Sequence, residues 1–280
     1  MMRLTQDLTG ISRIGNGGGK PLVVAIHGGT YTSRYFDVPG RSLLDTAAAN
    51  GFDIVAIDRP GYAGSAFLEG DRMDIAGQAA FLVDALAKVW QAFGQGHDGL
   101  FLIGHSIGAA IAATIASAQG ALPVIGLAIS GVGLRTNPGD HERWAALPDL
   151  PLVAMPAEVK DAVMFGPAGS YDADMPQAGH VADAPTPKAE LLSITGSWGS
   201  DALAVLGQIA VPVHYRQAEF DRLWIIDHAE IDGFARALSS SPFVDARMVR
   251  GSGHCIDHHR AGAGLHLQQL GFALECAARA

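Results

Sequence analysis

Residues 102–110 read Leu-Ile-Gly-His-Ser-Ile-Gly-Ala-Ala. Within them, Gly104-His105-Ser106-Ile107-Gly108 limits what the chain can fold into more than any other stretch. The pentapeptide follows an apolar run at 99–103 and opens a small-residue, helix-forming stretch at 107–118. Passing from strand to helix through a single corner residue forces that residue into a strained conformation. Its side chain is then pushed out above the end of the strand. Gly104 and Gly108 carry no side chain that would collide in so tight a turn. Ala109 and Ala110 let the helix lie close against a sheet.

The rest of the chain repeats the same alternation. Apolar runs at 21–26, 52–57, 100–103, 124–129, 211–217 and 244–249 read as strands. An edge strand is expected at 11–14, followed by a turn at Asn16-Gly17-Gly18-Gly19. Between the strands lie helical patterns within 35–50, ending at an Asn50-Gly51 stop signal, at 74–93, and around 228–238. A final helix starts near 265. Strands alternating with helices predict a mostly parallel central sheet with helices on both faces. This rhythm breaks between 134 and 206, where eight of the fourteen prolines fall and helical patterns are short and interrupted. The expected organisation is therefore a core of residues 1–133 and 207–280, with 134–206 inserted above the sheet as a lid.

A chain of 280 residues, 49% hydrophobic and 17% charged, can bury a sizeable core. Its formal net charge of −9 makes nucleic acid and anionic membrane poor partners. The first ten residues, MMRLTQDLTG, show no signal-peptide pattern, and no apolar run is long enough to span a bilayer. Two cysteines, Cys255 and Cys276, make no disulfide framework. The expectation is cytoplasmic.

A serine hydroxyl needs a base within hydrogen-bond reach to become a nucleophile, and the base needs an orienting partner. Downstream of Ser106, Asp221 follows the strand that resumes after the insertion. His254 sits in the loop Arg250-Gly251-Ser252-Gly253-His254 after the next strand. Glu219, two residues before Asp221, is the competing acid. Set in this order, Ser106, Asp221 and His254 resemble the nucleophile, acid and base of the α/β-hydrolase superfamily. The resemblance runs from the strand at 21–26 to the last helix. Ala25-Ile26-His27-Gly28-Gly29-Thr30 resembles that family's His-Gly loop. Asp58-Arg59-Pro60-Gly61-Tyr62-Ala63-Gly64-Ser65 resembles its D-x-x-G-x-G-x-S turn, with Ala63 where a glycine is commoner. The resemblance implies an α/β-hydrolase fold, no cofactor, and an oxyanion hole made by the backbone amides of Ile107 and Gly29, with Thr30 as the alternative to Gly29.

Within the lid, four basic residues face ten acidic ones. That balance disfavours phosphorylated or coenzyme-A-linked substrates and suits neutral or cationic ones. Trp144, Phe165, Tyr171 and Trp198 are the candidates for lining an apolar pocket. His254 and His258 stand at a spacing that metals use on helices, yet no third ligand is apparent and no metal is expected. His258 and His259 read as solvated, His27 and Arg59 as structural, and Cys255 as a passive thiol. The implied activity is hydrolysis of a carboxylic ester of a small, mostly apolar molecule. A biosynthetic thioesterase and a non-catalytic binding protein on the same fold are the alternatives.

Overall fold

The computed structural model describes residues 1–15, 18–120 and 122–279. Asn16 and Gly17 of the expected turn lie outside them. Eight strands form one sheet: β1 (Met2–Arg3), β2 (Thr9–Arg13), β3 (Leu22–Ile26), β4 (Ile54–Ile57), β5 (Leu100–His105), β6 (Val124–Ser130), β7 (Val213–Ala218) and β8 (Val244–Val249). Their spatial order is β1-β2-β4-β3-β5-β6-β7-β8. β3 through β8 run parallel, and β2 joins β4 antiparallel with β1 on its outer side. The expected first strand is therefore second in the sheet. This is an α/β-hydrolase fold with a mostly parallel central sheet.

Side chains alternate across each strand, so one apolar run feeds two cores. Leu22, Val24 and Ile26 of β3 pack on one face with α2 (Ile75–Phe93), α3 (Ile107–Ser117) and α9 (His228–Ala237). Val23 and Ala25 pack on the other face with α1 (Leu43–Ala49) and α10 (Gly262–Ala277). Nine of the eleven residues of α3 are buried. Alanine and glycine suit such a helix, because it is clasped between the sheet and its neighbours. Among the described residues no helix is long and apolar enough to cross a membrane.

Between β6 and β7 the chain forms five short helices: α4 (Asp140–Ala145), α5 (Ala157–Met164), α6 (Met175–Gly179), α7 (Lys188–Thr195) and α8 (Trp198–Gly207). The segment is stitched to the loop after β3. Thr32 N–H donates to Ala182 O at 2.8 Å, and Ala184 N–H to Thr30 O at 2.9 Å. Thr30 N–H donates to the Thr186 hydroxyl at 2.6 Å. A short antiparallel pairing joins Leu152–Val153 to Thr186–Pro187. The last helix behaves differently. Trp198, Ala202 and Leu206 of α8 join the same core as α3.

Candidate active site

Parallel strands deliver their C-terminal ends to one rim of the sheet, and the loops that leave those ends can converge there. Ser106 leaves β5, Asp221 follows β7 by three residues and His254 follows β8 by five. Ser106 holds φ 56° and ψ −125°, outside the ordinary range for a residue with a side chain. Such a conformation costs on the order of 1–3 kcal/mol and persists because the surroundings impose it. Its N–H donates to Ser130 O at 2.8 Å. A Cβ on Gly108 would run into the carbonyl oxygens of Ile26 and His27, and one on Gly28 would stand 2.8 Å from Ser106 Cβ. The elbow fits against the loop after β3 because both residues are glycine.

The three side chains meet. His254 Nε2 lies 2.9 Å from Ser106 Oγ, and His254 Nδ1 lies 2.8 Å from Asp221 Oδ2. Asp221 also accepts from Gln217 Nε2 at 3.2 Å and from Leu223 N–H at 2.9 Å. The Asp221 side chain is fully buried and His254 is 1% exposed. An acceptor at Nδ1 fixes the proton there and leaves Nε2 free to accept from Ser106. Glu219 does not reach this group. Its carboxylate accepts from Gly251 N–H at 2.8 Å on the exposed side of the loop.

Among the described residues, the amides of Gly29 and Ile107 have no protein acceptor, and both residues line the same cavity as Ser106. The Thr30 amide, the alternative donor, is already taken by Thr186. His27 is a loop-fixing residue. Burial and the Arg59 charge hold its pKa well below the ordinary value. The neutral ring accepts Arg59 N–H on Nε2 at 3.1 Å and donates from Nδ1 to Gly28 O at 2.7 Å. Ala63, which stands where the family motif favours glycine, sits at φ 50°.

Ser106 opens into a cavity of about 360 Å³. Its walls are largely apolar, with Val159 and Val163 from α5, Leu191 and Ile194 from α7, and Leu223 and Trp224 after Asp221. Of the four aromatic residues expected there, Trp144 alone lines it. Phe165 packs instead on Tyr171 and His259, and the Trp198 indole N–H donates to Gly133 O at 3.0 Å within the α3 core. Tyr171, half-buried, packs on Phe165 and His259 rather than on the cavity. The aliphatic walls were readable as the i, i+3 and i, i+4 spacing of α7 and α5, a pattern that does not distinguish a pocket from an ordinary core.

His258 and His259 are buried, not solvated. His259 Nε2 accepts both Gly166 N–H and Gly253 N–H at 3.0 Å, while Nδ1 donates to Cys255 O at 2.7 Å. It thereby ties the His254 loop to the end of α5. His258 bonds the Tyr35 carbonyl at 3.0 Å, so its ring and that of His254 serve different partners. Among the described residues, no group of three or more His, Cys, Asp or Glu is placed to hold a metal ion. Burial pushes the Cys255 thiol up to about 12, which keeps it protonated and unreactive.

Burial also depresses His258 to about 4 from an ordinary 6.5. Between those values the unfolded chain binds more protons than the folded one, so stability present above pH 6.5 is lost as the pH falls toward 4. From His258 alone we expect a loss of about 2 kcal/mol between pH 7.5 and pH 5, read as a lower denaturant midpoint. His27, His105, His214 and His259 are held low as well and act in the same direction. An unchanged midpoint at pH 5 contradicts this account.

A model of the alpha/beta hydrolase family matches residues 23–264. A search of the curated proteins found no match. Among solved structures, a thermophilic esterase from Thermogutta terrifontis is similar with a TM-score of 0.70 at 17% identity, over 96% of this chain and 94% of that one. A thioesterase domain from the curacin biosynthetic pathway has a TM-score of 0.63 at 17% identity, over 94% and 99% of the two chains. The E-2-(acetamidomethylene)succinate hydrolase has a TM-score of 0.66 at 17% identity, over 95% and 100%. At such identities the likeness is one of fold.

Proposed function

The chain belongs to the alpha/beta hydrolase family, and from that premise we propose that it is a serine hydrolase of carboxylic esters of small, mostly apolar molecules. One observation carries the reading. A continuous hydrogen-bonded chain from Asp221 through His254 ends on Ser106 Oγ, and that oxygen faces an apolar cavity of about 360 Å³. This volume falls at the small end of the roughly 300–1,000 Å³ typical of ligand pockets. Segment 134–206 acts as the lid, with α4, α5 and α7 supplying much of the acyl-binding wall.

In this mechanism the His254 imidazole takes the Ser106 proton as Oγ attacks the ester carbonyl. Asp221 holds the imidazole and stabilises its positive charge. The carbonyl oxygen becomes an anion that accepts from Gly29 N–H and Ile107 N–H. Losing one such donor typically costs about 3–4 kcal/mol of transition-state stabilisation. Ile107 is the first residue of α3, so the helix dipole also favours the anion. His254 then protonates the departing alcohol. Water attacks the acyl-enzyme with His254 again as base, and the acid is released.

A fluorophosphonate probe is expected to label Ser106 in the folded protein, and Ser106→Ala to abolish labelling. Turnover of p-nitrophenyl esters over matched acyl thioesters supports the ester assignment. The opposite preference selects the thioesterase form of the same chemistry, which the curacin thioesterase domain shares at the level of fold. Binding of apolar ligands without labelling or turnover selects a non-catalytic binding protein.

A further inference from the structure

We propose that Arg59 is a positioning residue for the reaction: its guanidinium, held by Glu190 of the lid, aims and polarises the Gly28–Gly29 peptide that supplies an oxyanion donor. The inference rests on the serine-hydrolase reading above. Arg59 follows β4, and its side chain is fully buried together with that of Glu190 on α7. Arg59 Nε donates to His27 O at 2.8 Å, and Nη2 donates to Gly28 O at 3.0 Å. One guanidinium thus grips two successive carbonyls of the loop after β3.

The Gly28 carbonyl and the Gly29 N–H belong to the same peptide unit. The chain has no cis peptide bond among the described residues, so the two groups point in opposite directions across a plane. Anchoring the carbonyl on one side sets where the N–H points on the other. Two donors, Arg59 Nη2 and His27 Nδ1, draw density toward the Gly28 oxygen. A carbonyl so engaged makes its own N–H a stronger donor, and a positive charge on the carbonyl side has the same sign of effect. Gly29 lines the cavity beside Ser106 and Ile107.

Glu190 in turn fixes the guanidinium. Its Oε2 accepts from Arg59 Nη1 at 2.6 Å and Gln78 Nε2 at 2.8 Å. Its Oε1 accepts from Arg59 Nη2 at 3.0 Å and from the Tyr62 hydroxyl. The pair is bidentate, which adds orientation to attraction. Stability alone is a weak reason for such a pair, because well-packed apolar residues usually do as well in its place. Its evident product is geometric. Glu190 adjoins Leu191, which lines the cavity, so one carboxylate registers both the oxyanion loop and a wall of the acyl pocket.

The test compares a trifluoromethyl ketone, which forms a tetrahedral anion on the serine, with the methyl ketone of the same chain, which stays a neutral ground-state ligand. Arg59→Lys keeps the buried charge but cannot hold both carbonyls. The double variant Arg59→Met with Glu190→Met removes both charges. In either, we expect trifluoromethyl-ketone affinity and kcat for p-nitrophenyl butyrate to fall by between about tenfold and a hundredfold. Methyl-ketone affinity and KM should change less than about threefold, since uniform binding is untouched. Equal losses for both ketones, or no loss for either, overturn the proposal. If the double variant does not fold, Arg59→Lys carries the test. If Arg59→Lys unfolds as well, the clamp serves folding rather than the reaction and the proposal is overturned. Ser106→Ala run in parallel separates the two levels, because full turnover by that variant defeats the serine reading itself rather than the clamp.

Discussion

Ser106→Ala is expected to lower kcat by about five to six orders of magnitude while leaving the fold intact. The Ser106 side chain makes one hydrogen bond, to His254 Nε2, so alanine loses the reacting oxygen without stranding any other group. Alanine is asked to hold the same strained φ of 56°, and the packing of Gly108 and Gly28 that imposes it is unchanged. Melting temperature and apolar-ligand affinity should therefore stay near those of the parent. Steady-state kinetics with p-nitrophenyl esters, with thermal unfolding alongside, reads both. A folded Ser106→Ala variant that keeps even a hundredth of the parent kcat removes Ser106 from the chemistry.

Asp221→Asn should lower kcat by about 10⁴-fold. An asparagine of the same shape presents an N–H₂ or a neutral carbonyl where the His254 ring now meets a carboxylate at 2.8 Å. The preference for the Nδ1–H tautomer weakens, and the imidazolium formed during attack loses its counter-charge. The effect should fall on kcat more than on KM, because Asp221 is not among the residues lining the cavity. Glu219→Gln is the contrast. That carboxylate holds the Gly251 amide on the outside of the loop, so its amide analogue should leave kcat within about threefold, as surface changes away from buried features usually do. A larger loss in Glu219→Gln than in Asp221→Asn would invert the assignment of the two acids.

The local signals in the chain were strong where one element decided the outcome. Small residues on both sides of Ser106 required a tight strand-to-helix corner, and the structure has one. Alternating strand and helix patterns required a mostly parallel sheet, and β3 through β8 run parallel. The resemblance to the α/β-hydrolase superfamily implied the order nucleophile, acid, base with Glu219 competing for the acid, and Ser106, Asp221 and His254 lie within hydrogen-bond distance. Other features depended on elements far apart in the chain. Trp198, Phe165 and Tyr171 are aromatic in the right segment, but hydrophobicity reports that a residue is buried and not against what. His258 and His259 looked polar and therefore wet, yet backbone groups of Tyr35, Gly166, Gly253 and Cys255 offered them buried partners. No spacing rule links Arg59 to Glu190 across 131 positions.

The sequence by itself determined the corner at Ser106, the parallel sheet behind it and the chain order of the groups that meet there. The corner and the sheet follow from steric and periodic rules that act over a few residues at a time, and the order of the groups from the resemblance to the α/β-hydrolase superfamily. The tertiary structure alone decided which acid faces His254, which side chains wall the cavity and that a buried arginine grips the loop beside Ser106. Those outcomes depend on the path of the segment between β6 and β7, and that path is set by packing and hydrogen bonds between residues that share no local pattern.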